Sequence, residues 1–455
     1  MKDLISRAKA IAERLEAAGA NHCLIVGGFV RDQLLGLAPE DLDLEVYGLG
    51  YDDIVAALAP DHQVNLVGQA FGIVTVDNLL DVSIPRRDSK RGLGHRGFSV
   101  EPDPGMTPDE AAARRDFTIN SLAMDFSGHI IDPFAGQADL QRKILRATSS
   151  AFGEDPLRVL RGMQLAARFD LTLEPDTARL CRDLKDEFAT LSAERIYGEW
   201  QKWAVQGRVP RRGLELLRET GWVDCFPALA SMVGTPQDRQ WHPEGDVFEH
   251  TGYTCDAATA IADQLDLENG ERAILLFASL CHDLGKPETT TRSTEGRWIS
   301  PKHSAVGIGL ARDFLADMKA PEWLIDSVLP LIAEHMVHLS HGEDESPSPR
   351  AVRRLANRLA PATIKLWAAV CRADHNGRPP QAPGNPVEHW LEMAAELELQ
   401  DGRPQPILMG RHLLQLDGFE PGPPLGDLLR RAFEAQLDGE FDTLAGALEW
   451  VRQNS

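Results

Sequence analysis

The sequence of 455 residues lacks any long apolar run; its best candidate, Ala273–Cys281, is nine residues long. A helix needs roughly 20 such residues to cross a bilayer, so no membrane-spanning helix is expected. The opening stretch MKDLISRAKA has no continuous apolar segment, so no secretory signal is expected and the chain reads as cytoplasmic. The six cysteines (23, 181, 225, 255, 281 and 371) include no CxxC pair, which excludes a cysteine zinc site and fits reduced thiols. Positive charge is also short. Lys and Arg number 47 against 69 Asp and Glu, a net charge of −22. That balance argues against binding nucleic acid through overall charge, because such affinity comes from cations meeting phosphates. The cations are concentrated locally, however. Arg86, Arg87, Lys90, Arg91 and Arg96 form one cluster, and Arg114 with Arg115 a second. Arg208, Arg211 and Arg212, and then Arg350, Arg353, Arg354 and Arg358, read equally as solvated helix faces or as RNA contacts.

What is present is ordinary for a globular chain: 43% hydrophobic and 25% charged residues. The length suggests about three domains at roughly 150 residues each. Ile5, Ala8, Ile11, Leu15 and Ala18 recur at helical spacing over residues 5–19. A short apolar strand, His22–Val26, is then broken by Gly27-Gly28, and a helix over about 29–35 follows, closed by Gly36. Leu42–Val46, Ile73–Val76 and Leu80–Ile84 read as further strands, so the first part is a small α/β domain ending near 147. From about Glu154 helical patterns dominate, over 156–168, 177–186, 193–204 and 213–220. Residues 235–245 are turn-rich, 340–349 and 377–386 read as linkers, and 405–455 as two or three short helices. The expected architecture is multidomain: an α/β head (1–147), a helical neck and body (148–235), a further helical domain (236–380) and a helical tail (381–455).

The block LIVGGFVRDQLLGLAPEDLDLEV sets strand, paired glycines, helix, turn and strand in order. Gly27 and Gly28 let the backbone approach an oligophosphate, with the helix N-terminus available to it. Arg31, in the first turn, can add charge-assisted bonds to phosphate oxygens. Asp41 and Asp43 stand two apart, so their carboxylates share a face while Leu42 and Leu44 bury the other. Two hard oxygen ligands on one face suit Mg²⁺. Each feature alone is common; together within seventeen residues they point to nucleotidyl transfer.

These motifs, with RRDFTINSLAMD (114–125), IDPFAGQADLQRKILR (131–146) and GEDPLRVLRGMQLAARF (153–169), resemble the class II nucleotidyltransferase head of CCA-adding enzymes and bacterial poly(A) polymerases. The resemblance covers roughly the first 230 residues. It implies that Asp41 and Asp43 hold Mg²⁺, and that Gly27, Gly28, Arg31, Arg115, Asp116 and Asn120 contact the nucleotide. It further implies that Glu154, Asp155, Arg158 and Arg161 form the EDxxR region, in which Asp155 and Arg158 read the edges of an incoming C or A. Asp81 falls at the family's third carboxylate, to deprotonate the attacking 3′-hydroxyl or complete the metal shell; an exposed strand acid is the equal alternative. Residues 88–113 correspond to a flexible loop used when switching from C to A addition.

A second set, HPEGDVFEHT, LLFASLCHDLGKP, KHSAVG, IAEHMVHL and CRADHNGRP, carries His250, His282, Asp283, His303, His335 and Asp374. Imidazoles and carboxylates gathered on helices suit a divalent transition metal. A lone histidine on an apolar helix is more often a satisfied core residue, which remains fair for His338. The ordered series resembles the HD phosphohydrolase superfamily, and Lys286 after HDLG fits it. One bacterial group of CCA-adding enzymes carries such a domain, linked to phosphatase, 2′-nucleotidase and 2′,3′-cyclic phosphodiesterase activities; WHPE (241–244) fits that group, whereas 288–301 departs from it in length and composition. Residues 407–441 resemble the tRNA-gripping tail of other CCA-adding enzymes.

The resemblance therefore implies addition of CCA to tRNA from CTP and ATP, with Mg²⁺ at the head and Ni, Mn or Co at the HD site. Within the same fold the alternatives are a CC-only or A-only enzyme or a poly(A) polymerase, though the last would be expected to carry a basic C-terminal extension. From another class, the alternative is an HD phosphohydrolase or regulator that uses the head only for RNA binding. Oligomeric state is not legible.

Overall fold

The computed structural model describes residues 2–39, 41–65, 72–90, 98–340, 346–380, 384–416 and 418–454. The chain forms two compact units, Met1–Cys225 and Phe226–Ser455.

The first unit opens with α1 (Lys2–Ala17), β1 (His22–Val26), α2 (Gly28–Leu34), β2 (Asp43–Tyr47) and α3 (Tyr51–Leu58). There follow β3 (Val64–Asn65), β4 (Ile73–Val76), β5 (Leu80–Ser83), β6 (Arg86–Lys90), β7 (Phe98–Pro102), α4 (Pro108–Ala113), β8 (Ala123–Met124), β9 (Ile130–Ile131) and α5 (Gly136–Arg142). Seven strands make one mixed sheet in the order β3-β4-β5-β2-β1-β8-β9. Its one parallel pair, β2 with β5, sets Asp43 opposite Asp81. The helical spacing read in α1 buries Ala8, Ile11 and Leu15 against Ile25, Leu44 and Ile54, whereas Ala18 lies beyond the helix and is exposed. Burying each such Leu or Ile contributes about 1.5–3 kcal/mol and holds the sheet rigid behind its functional edge.

The expectation of a loop over 88–113 is corrected. Residues 86–90 and 98–102 pair antiparallel as a hairpin, with Arg87 opposite Glu101, and Arg87 Nε donates to Asp103 at 2.6 Å. Backbone ladders need no apolar alternation, which is why the periodicity missed them. Helix α4 was missed for a different reason. Thr107 and Glu110 form a capping box around Pro108, a short-range signal that was there to read. Residues 91–97, with Arg91 and Arg96, lie outside the described residues.

Four helices complete this unit: α6 (Leu157–Phe169), α7 (Pro175–Asp183), α8 (Ala193–Gln206) and α9 (Pro210–Glu219). Helix α6 packs on α8 and α9 around the buried Trp200 and Trp203. Two buried indoles are anchored through N–H: Trp203 Nε1 donates to the Pro210 carbonyl at 3.0 Å and Trp222 Nε1 to the Cys181 carbonyl at 2.7 Å.

The second unit holds α10 (Pro227–Met232), α11 (Val247–Gln264), α12 (Asn269–Cys281), α13 (Lys286–Thr289), α14 (His303–Asp317), α15 (Glu322–Glu334), α16 (Pro349–Leu359) and α17 (Ile364–Asn376). Then come α18 (Glu388–Glu396), α19 (Gly410–Leu413), α20 (Pro423–Asp438) and α21 (Leu444–Asn454). Helices α11, α12, α15 and α17 pack together, and the tail has its own apolar cluster around Leu413, Leu425, Leu428 and Phe441. Two arginine clusters left open by the sequence are largely balanced within the chain. Arg211 and Arg212 pair with Glu215, and Arg212 also with Asp170 at 2.9 Å. Arg350 and Arg354 pair with Asp438 at 3.0 and 2.5 Å, and Arg358 with Glu334 at 2.8 Å. These partly exposed pairs add little stability, but they leave less charge for an RNA backbone.

Candidate functional site

The first unit contains a cleft of about 700 Å³. Of the thirteen residues expected in the head site, twelve line it: Gly27, Gly28, Arg31, Asp43, Asp81, Arg115, Asp116, Asn120, Glu154, Asp155, Arg158 and Arg161. Asp41 does not. It sits in the exposed segment just before β2, on the same side as Asp43 by the alternation of burial over 41–44.

The carboxylates come from neighbouring strands. Asp43 and Asp81 are in register on β2 and β5, and Glu45 stands two residues further along β2. Burial raises the pKa of Asp43; Asp81, Asp41 and Glu45 add to the rise, and Arg115 opposes it. Crowded acids of this kind, faced by the guanidinium of Arg115, fit a divalent cation with oxygen ligands. Thr75 Oγ1 donates to Asp81 Oδ1 at 2.7 Å, which holds that carboxylate in place.

Across the cleft the cations are themselves positioned. Gly27 has φ +72°, a left-handed backbone that favours glycine, and Arg115 Nη1 lies 2.9 Å from where a Cβ would stand, so a side chain there would also push that guanidinium aside. Arg115 Nη2 pairs with Glu45 Oε1 at 3.1 Å. Arg31 is buried: Nε donates to Asp32 Oδ1 at 2.7 Å, Nη1 to Asn120 Oδ1 at 2.5 Å, and the guanidinium lies 4.4 Å from the Phe169 ring centroid. Its charge is thus partly balanced inside the protein, beyond what its place in the first helical turn suggested. Asp116 is a hub, accepting from Phe117 N–H at 2.8 Å, Asn120 Nδ2 at 3.0 Å and Arg161 Nε at 2.7 Å. Burial works against its charge, yet Arg161, the Asn120 amide and the Phe117 N–H hold its pKa below the usual range.

The EDxxR residues are tied at the start of α6. Glu154 accepts from Arg114 at 2.8 Å, and Asp155 from Leu157 N–H at 3.0 Å and from Arg195 at 2.6 Å. Arg158 spends a bond on each of the carbonyls of Ala151 (2.7 Å) and Arg114 (2.8 Å). Sequence reading missed Glu45 and Arg195. The alternation Asp41, Asp43, Glu45 could have revealed the first; no local signal marks the second, which reaches Asp155 from α8.

The second unit brings all six expected HD residues together. His250 Nε2 lies 3.0 Å from Asp374 Oδ1, His282 Nε2 3.1 Å from Asp283 Oδ2, and His303 Nε2 3.4 Å from Asp283 Oδ1. Five of them fall into two ligand groups that share Asp283, one with His250 and His282, the other with His303 and His335, while Asp374 joins through His250. His250 also belongs to a third group with His242 and Glu244. His282, His303 and His335 each give Nδ1–H to the carbonyl three residues earlier, Ser279, Ser300 and Ile332, at 2.7–2.8 Å. Their Nε2 atoms are therefore bare acceptors. His303 Nε2 and His335 Nε2 nevertheless stand 3.1 Å apart, two lone pairs face to face. His282 Nε2 and Asp283 Oδ2 are buried with no well-directed hydrogen bond, although Lys286 Nζ reaches that oxygen at 2.7 Å as an ion pair. Burial pushes the His335 pKa down to about 3, with His282 and His303 adding to it, so the imidazole is neutral and able to ligate. A divalent cation resolves all of these oddities, and the donor set fits a transition metal. Sequence reading did not assign His242, Glu244 and Arg378 to this site, yet Glu244 touches His242 and His250, and Arg378 pairs with Asp374 at 2.7 Å. His338 stays outside the ligand groups, its ring edge-on to Trp367 at 6.3 Å.

Three family models match the chain: a poly A polymerase head domain over residues 23–146, a probable RNA and SrmB-binding site of polymerase A over 170–232, and an HD domain over 247–362. Asp374 lies beyond the last of these. A multifunctional CCA protein of Vibrio parahaemolyticus is 34% identical over 367 residues, covering 78% of this chain and 85% of that protein. One from an Azoarcus species is 33% identical over 375 residues, covering 80% and 87%. Among solved structures, the Bacillus stearothermophilus CCA-adding enzyme in complex with CTP matches with a TM-score of 0.64 at 21% identity, covering 100% of this chain and 98% of that one. The Thermotoga maritima CCA-adding enzyme complexed with tRNA matches at 0.58 and 16% identity, covering 98% and 94%. At these identities the structural likeness speaks for the fold.

Proposed function

Because the chain belongs to the multifunctional CCA protein family, we propose that it adds C, C and A to the 3′ end of tRNA from CTP and ATP, releasing pyrophosphate. The observation that carries the reading is the single cleft in which the registered pair Asp43–Asp81 faces Gly27, Gly28 and Arg115. Asp43 with Asp41 would hold Mg²⁺, and a bound divalent ion there supplies activation of the attacking hydroxyl and stabilisation of the leaving group. Asp81 either completes that shell or accepts the proton of the 3′-hydroxyl. Gly27 and Gly28 admit the triphosphate to the backbone at the start of α2, and Arg115 faces its charge. Asp116 keeps Arg161 and Asn120 aligned for sugar and phosphate. Asp155 accepts from an exocyclic amine of C or A, and Arg158 donates to ring nitrogens and carbonyls. Arg114 and Arg195 keep Glu154 and Asp155 in place for that role.

The HD cluster is read as a phosphohydrolase centre for 2′,3′-cyclic phosphates or 2′-nucleotides. Its six residues would hold Ni²⁺, Mn²⁺ or Co²⁺, which supplies an activated water at neutral pH. We read the chain in four parts, divided at 147, 235 and 380, with the tail on tRNA; the family models over 23–146, 170–232 and 247–362 support the first two boundaries. No helix among the described residues is long and apolar enough to cross a membrane, and we read the chain as cytoplasmic. Incubation with tRNA lacking its 3′ end, plus labelled CTP or ATP, tests the main reading. Incorporation of both nucleotides in the order C, C, A is expected. Incorporation of only one identifies a partial enzyme, and of neither, with phosphohydrolase activity present, the regulator.

A further inference from the structure

Three of the four HD histidines are oriented by backbone carbonyls; His250 is not. Its Nδ1 lies 2.7 Å from Glu244 Oε1, and the Glu244 side chain is 0% exposed. The same oxygen is 2.9 Å from Nδ1 of His242, whose ring stands edge-on to His250 at 4.6 Å. The other oxygen, Oε2, is buried without a hydrogen bond. Withdrawing a carboxylate from water is costly, so a buried one outside regular secondary structure calls for a role. The segment that carries it is pinned to the helices on either side. Lys286 Nζ donates to Gln237 Oε1 at 2.8 Å, and Gln237 Nε2 to the Asp246 carbonyl at 3.2 Å.

The chemistry of His250 gives that role. Its Nε2 is 3.0 Å from Asp374 Oδ1. If Nε2 carried the proton, His250 and Asp374 would form a satisfied core hydrogen bond, and neither would be free at that position for a metal. Of the two carboxylates flanking the ring, Glu244 is the nearer, 2.7 Å from Nδ1 against 3.0 Å for Asp374 at Nε2, and Asp374 Oδ1 is already paired with Arg378. This favours the opposite tautomer, with the proton on Nδ1 and the Nε2 lone pair turned toward Asp374 and Asp283. A backbone carbonyl does the same for the other three histidines; here a full negative charge does it, which also makes the imidazole a stronger donor to a cation.

We propose that Glu244 is the positioning residue of the HD metal site, converting His250 from a hydrogen-bond partner of Asp374 into a metal ligand, with His242 as a second donor that keeps the carboxylate aligned. The inference rests on the reading of the HD cluster as a metal centre.

The test is titration of the metal-free, full-length protein with Co²⁺ in excess Mg²⁺, followed by visible d–d absorption. Mg²⁺ occupies oxygen sites and leaves the imidazole site to cobalt. The wild type should give a saturable band, and Glu244→Gln should weaken cobalt affinity by about 10–100-fold and alter the band. Thermal unfolding of the metal-free proteins should show a smaller difference between the two than unfolding of the cobalt-loaded ones. Equal affinity and an unchanged band in Glu244→Gln would overturn the proposal, whatever happens to stability. No band in the wild type would overturn the metal-centre reading itself, and the proposal with it. Should Glu244→Gln fail to fold, Glu244→Asp, which keeps the charge but withdraws it by one methylene, must weaken cobalt in the same direction for the proposal to stand.

Discussion

Replacing Gly285 by alanine should disable the HD site while leaving nucleotide addition working. Gly285 follows His282 and Asp283 and has φ −83°, an ordinary value that any residue adopts. It is glycine for another reason. A Cβ there would lie 2.0 Å from the His303 carbonyl oxygen and 2.7 Å from Gly307 N, both backbone atoms at the start of α14. Real Cβ atoms essentially never approach closer than 3.0 Å, so the turn carrying Asp283 and the start of α14 must separate by about 1 Å. His303 would retreat by that amount from Asp283 and His335, which it now approaches to 3.4 and 3.1 Å. Metal–ligand distances tolerate only about 0.2 Å, and a misplacement of about 1 Å costs on the order of a hundredfold in rate. Overpacking adds about 1–3 kcal/mol of destabilisation. The assay is hydrolysis of a 2′,3′-cyclic nucleotide with Mn²⁺, Co²⁺ or Ni²⁺, alongside cobalt titration and CCA addition by the same preparation. A folded Gly285→Ala protein with the wild-type cobalt affinity and hydrolysis rate would refute the reasoning.

Asp43→Asn should cut nucleotide addition roughly a thousandfold, the equivalent of about 4 kcal/mol of lost transition-state stabilisation, while hydrolysis at the HD site persists; parallel loss of both activities in folded protein would show that the two sites are not independent. Arg195→Ala should relax base selection in the same direction as Asp155→Ala, read as the ratio of kcat/KM for CTP and ATP over UTP and GTP; unchanged ratios in both variants would remove the base-reading role of Asp155. Asp116 has a lowered pKa in the folded state, so its contribution is present above the unfolded value near 3.9 and is lost as pH falls through the folded one. Denaturant unfolding between about pH 6 and pH 2 should therefore show a shallower acid loss of stability in Asp116→Asn than in the wild type, and parallel curves would contradict the assigned shift.

Much of the fold was legible because its determinants are short-range. The apolar run 22–26 and the break at Gly27 delimit β1 to the residue, and the period of α6 through α9 places each helix within a few residues. The hairpin β6–β7 escaped because cross-strand hydrogen bonds impose no apolar alternation on Arg86–Lys90. Helix α4 was visible in principle through Thr107, Pro108 and Glu110, a cap rather than a period. The candidate site residues carry a similar contrast. Asp41, Asp43 and Glu45 share one strand face by simple alternation, whereas Arg195 comes to Asp155 across 40 residues and only packing of α8 on α6 brings it there.

The sequence by itself determined which chemistry is available: paired strand acids behind Gly27-Gly28, an EDxxR segment, and a series of histidines and aspartates on helices. Those are properties of residue type and spacing, and local sterics and hydrogen bonding suffice to express them. The tertiary structure alone decided the partners. His250 and Asp374, 124 residues apart, meet at 3.0 Å because α11 packs on α17. The proton on His250 is placed by Glu244, and the spacing of His303 from Asp283 by the absence of a side chain at Gly285. Contacts of a few ångströms between distant segments depend on the summed packing of every helix between them, and no window of the sequence contains that sum.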